Sequence, residues 1–420
     1  MTETATNTSR LSKIRSYLKR FITFFGPALI VSIAYMDPGN YGTDIQGGAS
    51  FGYSLLWVVW LSGVMAMLIQ YLSGKLGIAT EQSLAENIRQ KLGRKLFIIP
   101  YWLGSEVIAA ATDLAEYLGT VVALNLLFGV PLIYASIFGA ADVIIILGLA
   151  SRRFRLLEQI LLLVVSVISF GYIYEMFIAK PDLYSILSVS FVPHLVNSNA
   201  LFVAVGIIGA TVMPHAIFLH SGLTKEKALG KTLDERRKMR KMHLVETIIL
   251  LSIASMINAA ILIMAAVAFY PENSQIQSIA EAYRTLIPIF GAAAGVIFLV
   301  TLLASGIASS AVGTLAGQMI MEGFLGKKFN IWLRRIITRF INVIPTTIAI
   351  LLGLDPLHIL VYSQFALSML IPIAVIPLVI LTMNKKLMGE FANRKVTTTI
   401  ACVFVGIILT FNFFSLINTS

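Results

Sequence analysis

Cysteine and charge are what this chain has least of. A single cysteine, Cys402, in 420 residues excludes an intrachain disulfide and any cysteine-cluster metal site. Charged residues make up 13% of the sequence and hydrophobic residues 57%, so the charged share is about half that of an average soluble protein. No polar stretch exceeds about 20 residues, which leaves no room for a soluble domain. A nucleotide-binding loop and a His-Glu-x-x-His zinc motif are both missing, which argues against ATP-driven pumping and against an enzyme. The first 20 residues lack a signal peptide's cleavage pattern and read as a short cytoplasmic tail.

What is present is a series of apolar runs near 20 residues long. Eleven are centred near residues 33, 63, 112, 140, 166, 210, 257, 300, 345, 370 and 408. Runs of that length exclude the strands of a barrel and predict an all-α integral membrane protein with eleven transmembrane helices. Basic residues alternate in their loops. Arg10 to Arg20, Lys75 to Lys95, Arg152 to Arg155, Lys225 to Lys241, Lys327 to Arg335 and Lys385 to Lys395 fall on one side, while the other side holds only Lys180 and Arg284. That bias predicts a multi-pass protein of the cell membrane with a cytoplasmic N-terminus and an extracellular C-terminus. The net charge of +11 is then a matter of topology, with anionic lipid as partner and no role for nucleic acid.

Two runs are interrupted. Asp37-Pro38-Gly39-Asn40 lies inside the run from Phe21 to Ile45. A carboxylate at mid-membrane costs roughly 2.5–3.5 kcal/mol on insertion scales, and Pro removes a backbone donor at the same place. Gly209-Ala210-Thr211-Val212-Met213-Pro214-His215 breaks the sixth run. Taken singly, Pro214 reads as an ordinary kink. Taken together, the breaks open two halves of five spans each, which forces an inverted repeat and points to a transporter site between them. Half-helix C-termini near Met36 and Ala210 present carbonyls that favour a cation. Donors within reach are the Asp37 carboxylate, the Asn40 amide, the Ala210 carbonyl and the Met213 thioether, Met213 being otherwise core filler. Gln364 supplies either a further amide oxygen or an interhelical hydrogen bond. Mixed oxygen and sulfur donors lean towards first-row divalent ions over Mg²⁺ and Ca²⁺.

The third run carries Glu106, Asp113 and Glu116, spaced seven and three apart and therefore on one helix face. Three carboxylates there act as a proton route, as structural partners of the ninth run's arginines, or as both.

These residues resemble the Nramp family of divalent-metal transporters over essentially the whole length. Asp37-Pro38-Gly39-Asn40 with Thr43-Asp44-Ile45-Gln46 is similar to the family's first-helix signature, and Gly209 to His215 with Leu219-His220-Ser221 to its sixth-helix signature. Lys75 to Thr80, Ala111 to Glu116, Gly313 to Gln318, Met321 to Phe324 and Ser363-Gln364 are supporting matches. The resemblance implies a LeuT-type 5+5 inverted repeat with discontinuous helices 1 and 6 and an added eleventh helix. It also implies import of Mn²⁺, Fe²⁺ and similar ions in symport with protons, without a cofactor or an obligate protein partner. The implied metal ligands are Asp37, Asn40, Ala210, Met213 and Gln364. Proton handling is implied for Asp37, His215, Glu106, Asp113, Glu116, Arg334 and Arg335. Many members have Gly-Gln-Ser-Ser-Thr where this chain has Gly306-Ile307-Ala308-Ser309-Ser310, and Glu81 stands at a common Gly, at what reads as a helix start where a carboxylate suits the dipole.

The resulting plan has a tail at 1–20, repeat 1 at 21–178, an extracellular loop at 179–198, repeat 2 at 199–383, and a cytoplasmic loop with helix 11 at 384–420. Rival functions on the same scaffold are a Mg²⁺ transporter, which Met213 argues against, and a sodium-coupled amino-acid carrier, which a carboxylate at the break argues against.

Overall fold

The structure is a computed structural model and describes residues 26–140, 154–272 and 278–419. The expected tail at 1–20, the charges Arg10 to Arg20 and Arg152-Arg153, and the centre of the fourth run beyond residue 140 lie outside the described residues.

Among the described residues the structure is helical throughout, with no strand. In order the helices are α1 (Pro27–Ala34), α2 (Pro38–Phe51), α3 (Leu56–Thr80), α4 (Leu84–Leu92), α5 (Lys95–Phe128), α6 (Leu132–Ala140), α7 (Phe154–Ala179) and α8 (Leu183–Ser190). There follow α9 (Ser198–Val212), α10 (Pro214–Ala228), α11 (Leu233–Phe269), α12 (Ile279–Phe290), α13 (Ala292–Leu325), α14 (Ile331–Leu351), α15 (Pro356–Met383), the short α16 (Lys385–Met388) and α17 (Lys395–Thr419). Seven described segments are long and apolar enough to cross a membrane. The run near residue 33 is not among them because it is cut at Asp37, and the one near 345 is α14, a 21-residue helix loaded with Arg334, Arg335 and Arg339.

Both interruptions are real breaks, each with the same local chemistry. α1 ends at Ala34, and α2 restarts with Pro38 at its first position and Asp37 as N-cap, its Oδ1 accepting the Asn40 N–H at 2.9 Å. Proline fits there because the first helical N–H has no partner to lose. α9 ends at Val212 and α10 restarts with Pro214. Met213 joins them at φ 45°, a left-handed conformation that costs a non-glycine residue roughly 1–2 kcal/mol. The second break, at Met213, thus lies three residues beyond Ala210, which sits in the last turn of α9.

α2 packs against α9, α11 and α15, and α5 packs along α13 and against α14. The core is formed by these inward faces, with Tyr35, Met36, Tyr41, Met213 and Phe298 in one continuous apolar cluster. α5 spans 34 residues, about 50 Å at 1.5 Å per residue. That exceeds the roughly 30 Å hydrocarbon core, so α5 must tilt or project from it.

Several sequence readings need correction. The stretch 179–198 is not a plain loop: α8 lies within it, capped by Asp182, whose carboxylate accepts the Tyr184 and Ser185 N–H groups. The Ser185 hydroxyl, which also donates to this carboxylate, and then these N–H groups hold the Asp182 carboxyl below its ordinary pKa. Lys75, Arg334 and Arg335 are not free loop charges but buried helical residues, 4%, 8% and 2% exposed. Glu81 is not at a helix start. It is the C-cap of α3 at φ 54°, the place where a glycine is favoured, and it pairs with Arg236 at 3.0 Å. The following start, α4, has its own capping box from Ser83 and Glu86. Lys225 reaches Glu86 at 2.8 Å and Arg237 chelates Glu390, so the basic segments near residues 81–94, 225–241 and 384–394 gather at one end of the molecule.

Candidate metal and proton site

Asp37, Asn40 and Ala210 converge from opposite breaks. Asn40 Nδ2 lies 2.7 Å from Asp37 Oδ1 and 3.2 Å from the Ala210 carbonyl oxygen. The amide group bridges the two acceptors, one the α2 cap and the other a last-turn carbonyl of α9 that has no helical donor left to satisfy it. On its other side Asn40 Oδ1 accepts from Asn258 Nδ2 of α11 at 3.2 Å and from the Thr211 hydroxyl at 3.4 Å. The Met36 carbonyl, freed by the break, accepts the Ser305 hydroxyl of α13.

Gln364 of α15 stands directly over this group. A Cβ on Gly39 would lie 2.3 Å from Gln364 Nε2 and 2.9 Å from Asp37 Oδ2, so Gly39 is what lets the amide approach the carboxylate. Met213 is 2% exposed, at the α9–α10 junction and in the same apolar cluster as Met36. Asp37, Asn40 and Gln364 are 2%, 0% and 1% exposed, so the group is enclosed. The group brings together a carboxylate, amides and carbonyls, with the Met213 thioether at the adjoining α9–α10 junction. Among the described residues no trio of His, Cys, Asp or Glu gathers into a cluster of the structural-zinc kind.

A second constellation lies along α5. Glu106 accepts Arg334 Nη2 at 2.7 Å, and Asp113 accepts Arg335 Nη1. Arg335 and Arg339 also share the Ser310 hydroxyl, Arg339 at 2.8 Å, and Arg339 Nη1 is 3.7 Å from Asp113. Glu116, one turn inward from Asp113, is buried with neither carboxylate oxygen hydrogen-bonded. A Cβ on Gly313 would lie 2.6 Å from that carboxylate, and one on Gly317 would lie 2.3 Å from the Arg334 guanidinium. The small residues of α13 are therefore the space in which this row of charges sits. His215 belongs to the same face, its Nδ1 3.0 Å from the Thr112 hydroxyl of α5.

Asp37, Asn40, Ala210 and Gln364 lie in the first group, Glu106, Asp113, Glu116, His215, Arg334 and Arg335 in the second, and Met213 at the α9–α10 junction. Arg339 was missed, although it stands one helical turn after Arg335. Asn258 was missed too, an isolated amide in the apolar α11 and hence conspicuous. Asp44, quoted as part of a motif, proves to be a buried carboxylate one turn above Asn40 with both oxygens unpartnered, and Glu175 of α7 is in the same condition.

An all-helical membrane fold with two broken helices meeting at a shared polar group defines a secondary transporter of the LeuT type. A solved nucleobase–cation symporter, Mhp1, shares that fold at TM-score 0.57 and 11% identity over 94% of this chain and 92% of its own. The family model described as "Natural resistance-associated macrophage protein-like" matches residues 28–418, and the chain belongs to that family, Nramp. It is 43% identical over 396 residues to the divalent metal cation transporter MntH of Deinococcus radiodurans, covering 94% of this chain and 89% of that protein. The MntH of Bacillus subtilis is 39% identical over 97% of this chain and 94% of its own length. The solved manganese transporter of Eremococcus coleocola, in complex with an aromatic bis-isothiourea compound, superposes at TM-score 0.85 with 31% identity, over 95% of this chain and 87% of that one. These relatives are transporters rather than enzymes.

Proposed function

We propose that this protein imports divalent transition-metal ions, Mn²⁺ or Fe²⁺, across the cell membrane in symport with protons. In this reading eleven spans place the N-terminus in the cytoplasm. The observation that carries it is the Asn40 amide bridging Asp37 and the Ala210 carbonyl across the two breaks. Two acceptors already converge there on a group of partial positive charge, and a divalent cation would occupy the same position more favourably. Binding would require the Asn40 amide to turn its oxygen inwards, with Thr211 and Asn258 re-pairing behind it. Gln364 and the Met213 sulfur would complete the donor set. The thioether disfavours Mg²⁺ and Ca²⁺, hard ions that prefer oxygen and water.

Protons would take a different course. A cation at Asp37 favours the ionised carboxylate and so releases any proton held there. From Asp37 the proton would pass to the α5 face, where His215 and Glu116 lie nearest the break, and then to Asp113 beside Arg335 and Arg339. Glu106 with Arg334 marks the far end of that row.

The test is uptake into proteoliposomes under an imposed pH gradient, with metals in competition. The reading expects Mn²⁺ or Fe²⁺ uptake to be accelerated by an inward proton gradient and to be resisted by excess Mg²⁺. Uptake indifferent to the gradient would remove the symport, and efficient competition by Mg²⁺ would favour the magnesium alternative.

A further inference from the structure

A cavity that neither constellation uses opens at the end of the molecule where the basic segments gather. Its volume is about 750 Å³, and its lining includes Lys75 of α3, Arg237, Arg240 and Lys241 of α11, and Glu390 and Arg394 ahead of α17. Arg237 is already matched, since Glu390 accepts its Nε at 2.7 Å and also its Nη2, while Asp234 accepts Nη1 at 2.8 Å. The other four cations are not. Arg240 lies over the Phe391 ring at 5.5 Å. Lys75 lies over Tyr71 at 5.4 Å and donates to the Asn393 amide oxygen. Neither contact cancels a charge, and among the described residues no carboxylate pairs with Lys75, Arg240, Lys241 or Arg394. Five cations line this concavity against the single carboxylate of Glu390, which acts on Arg240 as well as Arg237, and the excess of positive charge suits a group with several anionic oxygens, which is to say a phosphate.

What adjoins the cavity identifies the kind of phosphate. Val64, Leu68, Tyr71 and Lys75 follow one another on a single stripe of α3, with Val64 53% exposed and Leu68 and Tyr71 partly so. α3 packs against both α11 and α17. α11 exposes Leu244 and Ile248, and α17 exposes Val396 and Ile400. Tyr71 and Leu244 line the cavity as well, so it borders exposed apolar side chains of α3, α11 and α17, which in this proposal form a furrow open to the bilayer.

We propose that cavity and furrow together form a binding site for an anionic phospholipid. Arg240, Lys241 and Arg394 hold its phosphate above Lys75, and an acyl chain lies along Val64 and Leu68. A soluble phosphate shares the headgroup chemistry but leaves the furrow unfilled.

The test uses the full-length protein in neutral detergent, titrated separately with phosphatidylglycerol, phosphatidylcholine and inorganic phosphate, with retained lipid counted by native mass spectrometry and the melting temperature followed in parallel. The unmodified protein is expected to retain phosphatidylglycerol in preference to phosphatidylcholine and to be indifferent to millimolar phosphate. The R240Q/K241Q/R394Q variant, all at solvent-accessible positions, should melt as the unmodified protein does without lipid. It should lose phosphatidylglycerol affinity by about 100-fold, taking about fivefold per basic residue. Leu68→Trp, which fills the furrow, should weaken phosphatidylglycerol retention with the basic residues intact. Equal retention of the two lipids, or unchanged phosphatidylglycerol affinity in the triple variant, overturns the proposal. Displacement of the lipid by inorganic phosphate, with Leu68→Trp without effect, would instead assign the cavity to a soluble anion.

Discussion

The two polar groups in this membrane interior differ in how their charge is balanced. At the breaks, the Asp37 carboxylate stands among neutral donors, with the buried Asp44 carboxylate one turn beyond Asn40, and among the described residues no cationic side chain forms a salt bridge with Asp37. Along α5, Glu106, Asp113 and Glu116 face Arg334, Arg335 and Arg339, so three acids meet three permanent cations. The first group is deficient in positive charge, and in the proposed function it is where the metal ion binds. The second is already balanced, and its guanidinium groups repel any divalent cation that approaches. A proton can still move there, because it travels as a change of state of a carboxylate and not as a body that needs a coordination shell. On the proposed function, this contrast would let one bundle hold two cation routes without mixing them.

The sharpest way to break the contrast is to remove the carboxylate that caps α2 at the first break. Asp37→Ala is expected to reduce metal binding by more than about 100-fold, since even second-shell changes at metal sites cost about 10–100-fold. Calorimetry with Mn²⁺ reads this directly, and unchanged binding would place the metal elsewhere.

Next in size is a change that disturbs the balanced group without touching a metal donor. Gly313→Val inserts a branched side chain where even a Cβ comes within 2.6 Å of the Glu116 carboxylate. Metal binding should stay within about threefold, the usual context spread for such measurements, while metal-driven proton influx falls by about tenfold or more, the lower range for losing a positioned proton-transfer group. Equal losses of both would mean that Glu116 serves the metal site.

Selectivity gives a smaller effect. Met213→Ala should leave Mn²⁺ transport measurable while admitting Ca²⁺ or Mg²⁺ as competitors, because the sulfur alone penalises hard ions. Competition assays decide it, and continued exclusion of the alkaline earths would move selectivity from ligand chemistry to the shape of the cavity.

Glu81→Gly should change least. The substitution relieves a left-handed residue, worth roughly 1 kcal/mol, and loses a half-exposed ion pair with Arg236 worth about 0–1 kcal/mol. The two nearly cancel, so the melting temperature should move by no more than about 2 °C either way. A large fall would show that Arg236 anchors the α3–α11 corner through this bridge.

The breaks could be read in the sequence because Asp-Pro-Gly and Met-Pro have no business in a lipid-facing helix, and backbone rules alone locate them within two residues. The convergence of Asn40 on Ala210 could not, since 170 residues separate them and only the packing of α2 against α9 brings them together. The α5 carboxylates were legible from their spacing. Their partners were only half so, because Arg334 and Arg335 resemble loop charges until α14 is seen to begin before them. Arg339 was overlooked although the i, i+4 relation to Arg335 was available. Glu81 was misread because a sequence does not state which side of a turn a residue caps.

The claim that metal and proton part company after Asp37 is tested most directly in Asp113→Asn, which keeps every proposed metal donor and removes the carboxylate between Arg335 and Arg339. Proteoliposomes carrying a pH-sensitive dye and a metal-sensitive dye report proton and Mn²⁺ influx in the same vesicles. The account predicts that Mn²⁺ influx persists while the protons entering per metal ion fall well below the unmodified protein's value; an unchanged ratio at equal metal flux would contradict it.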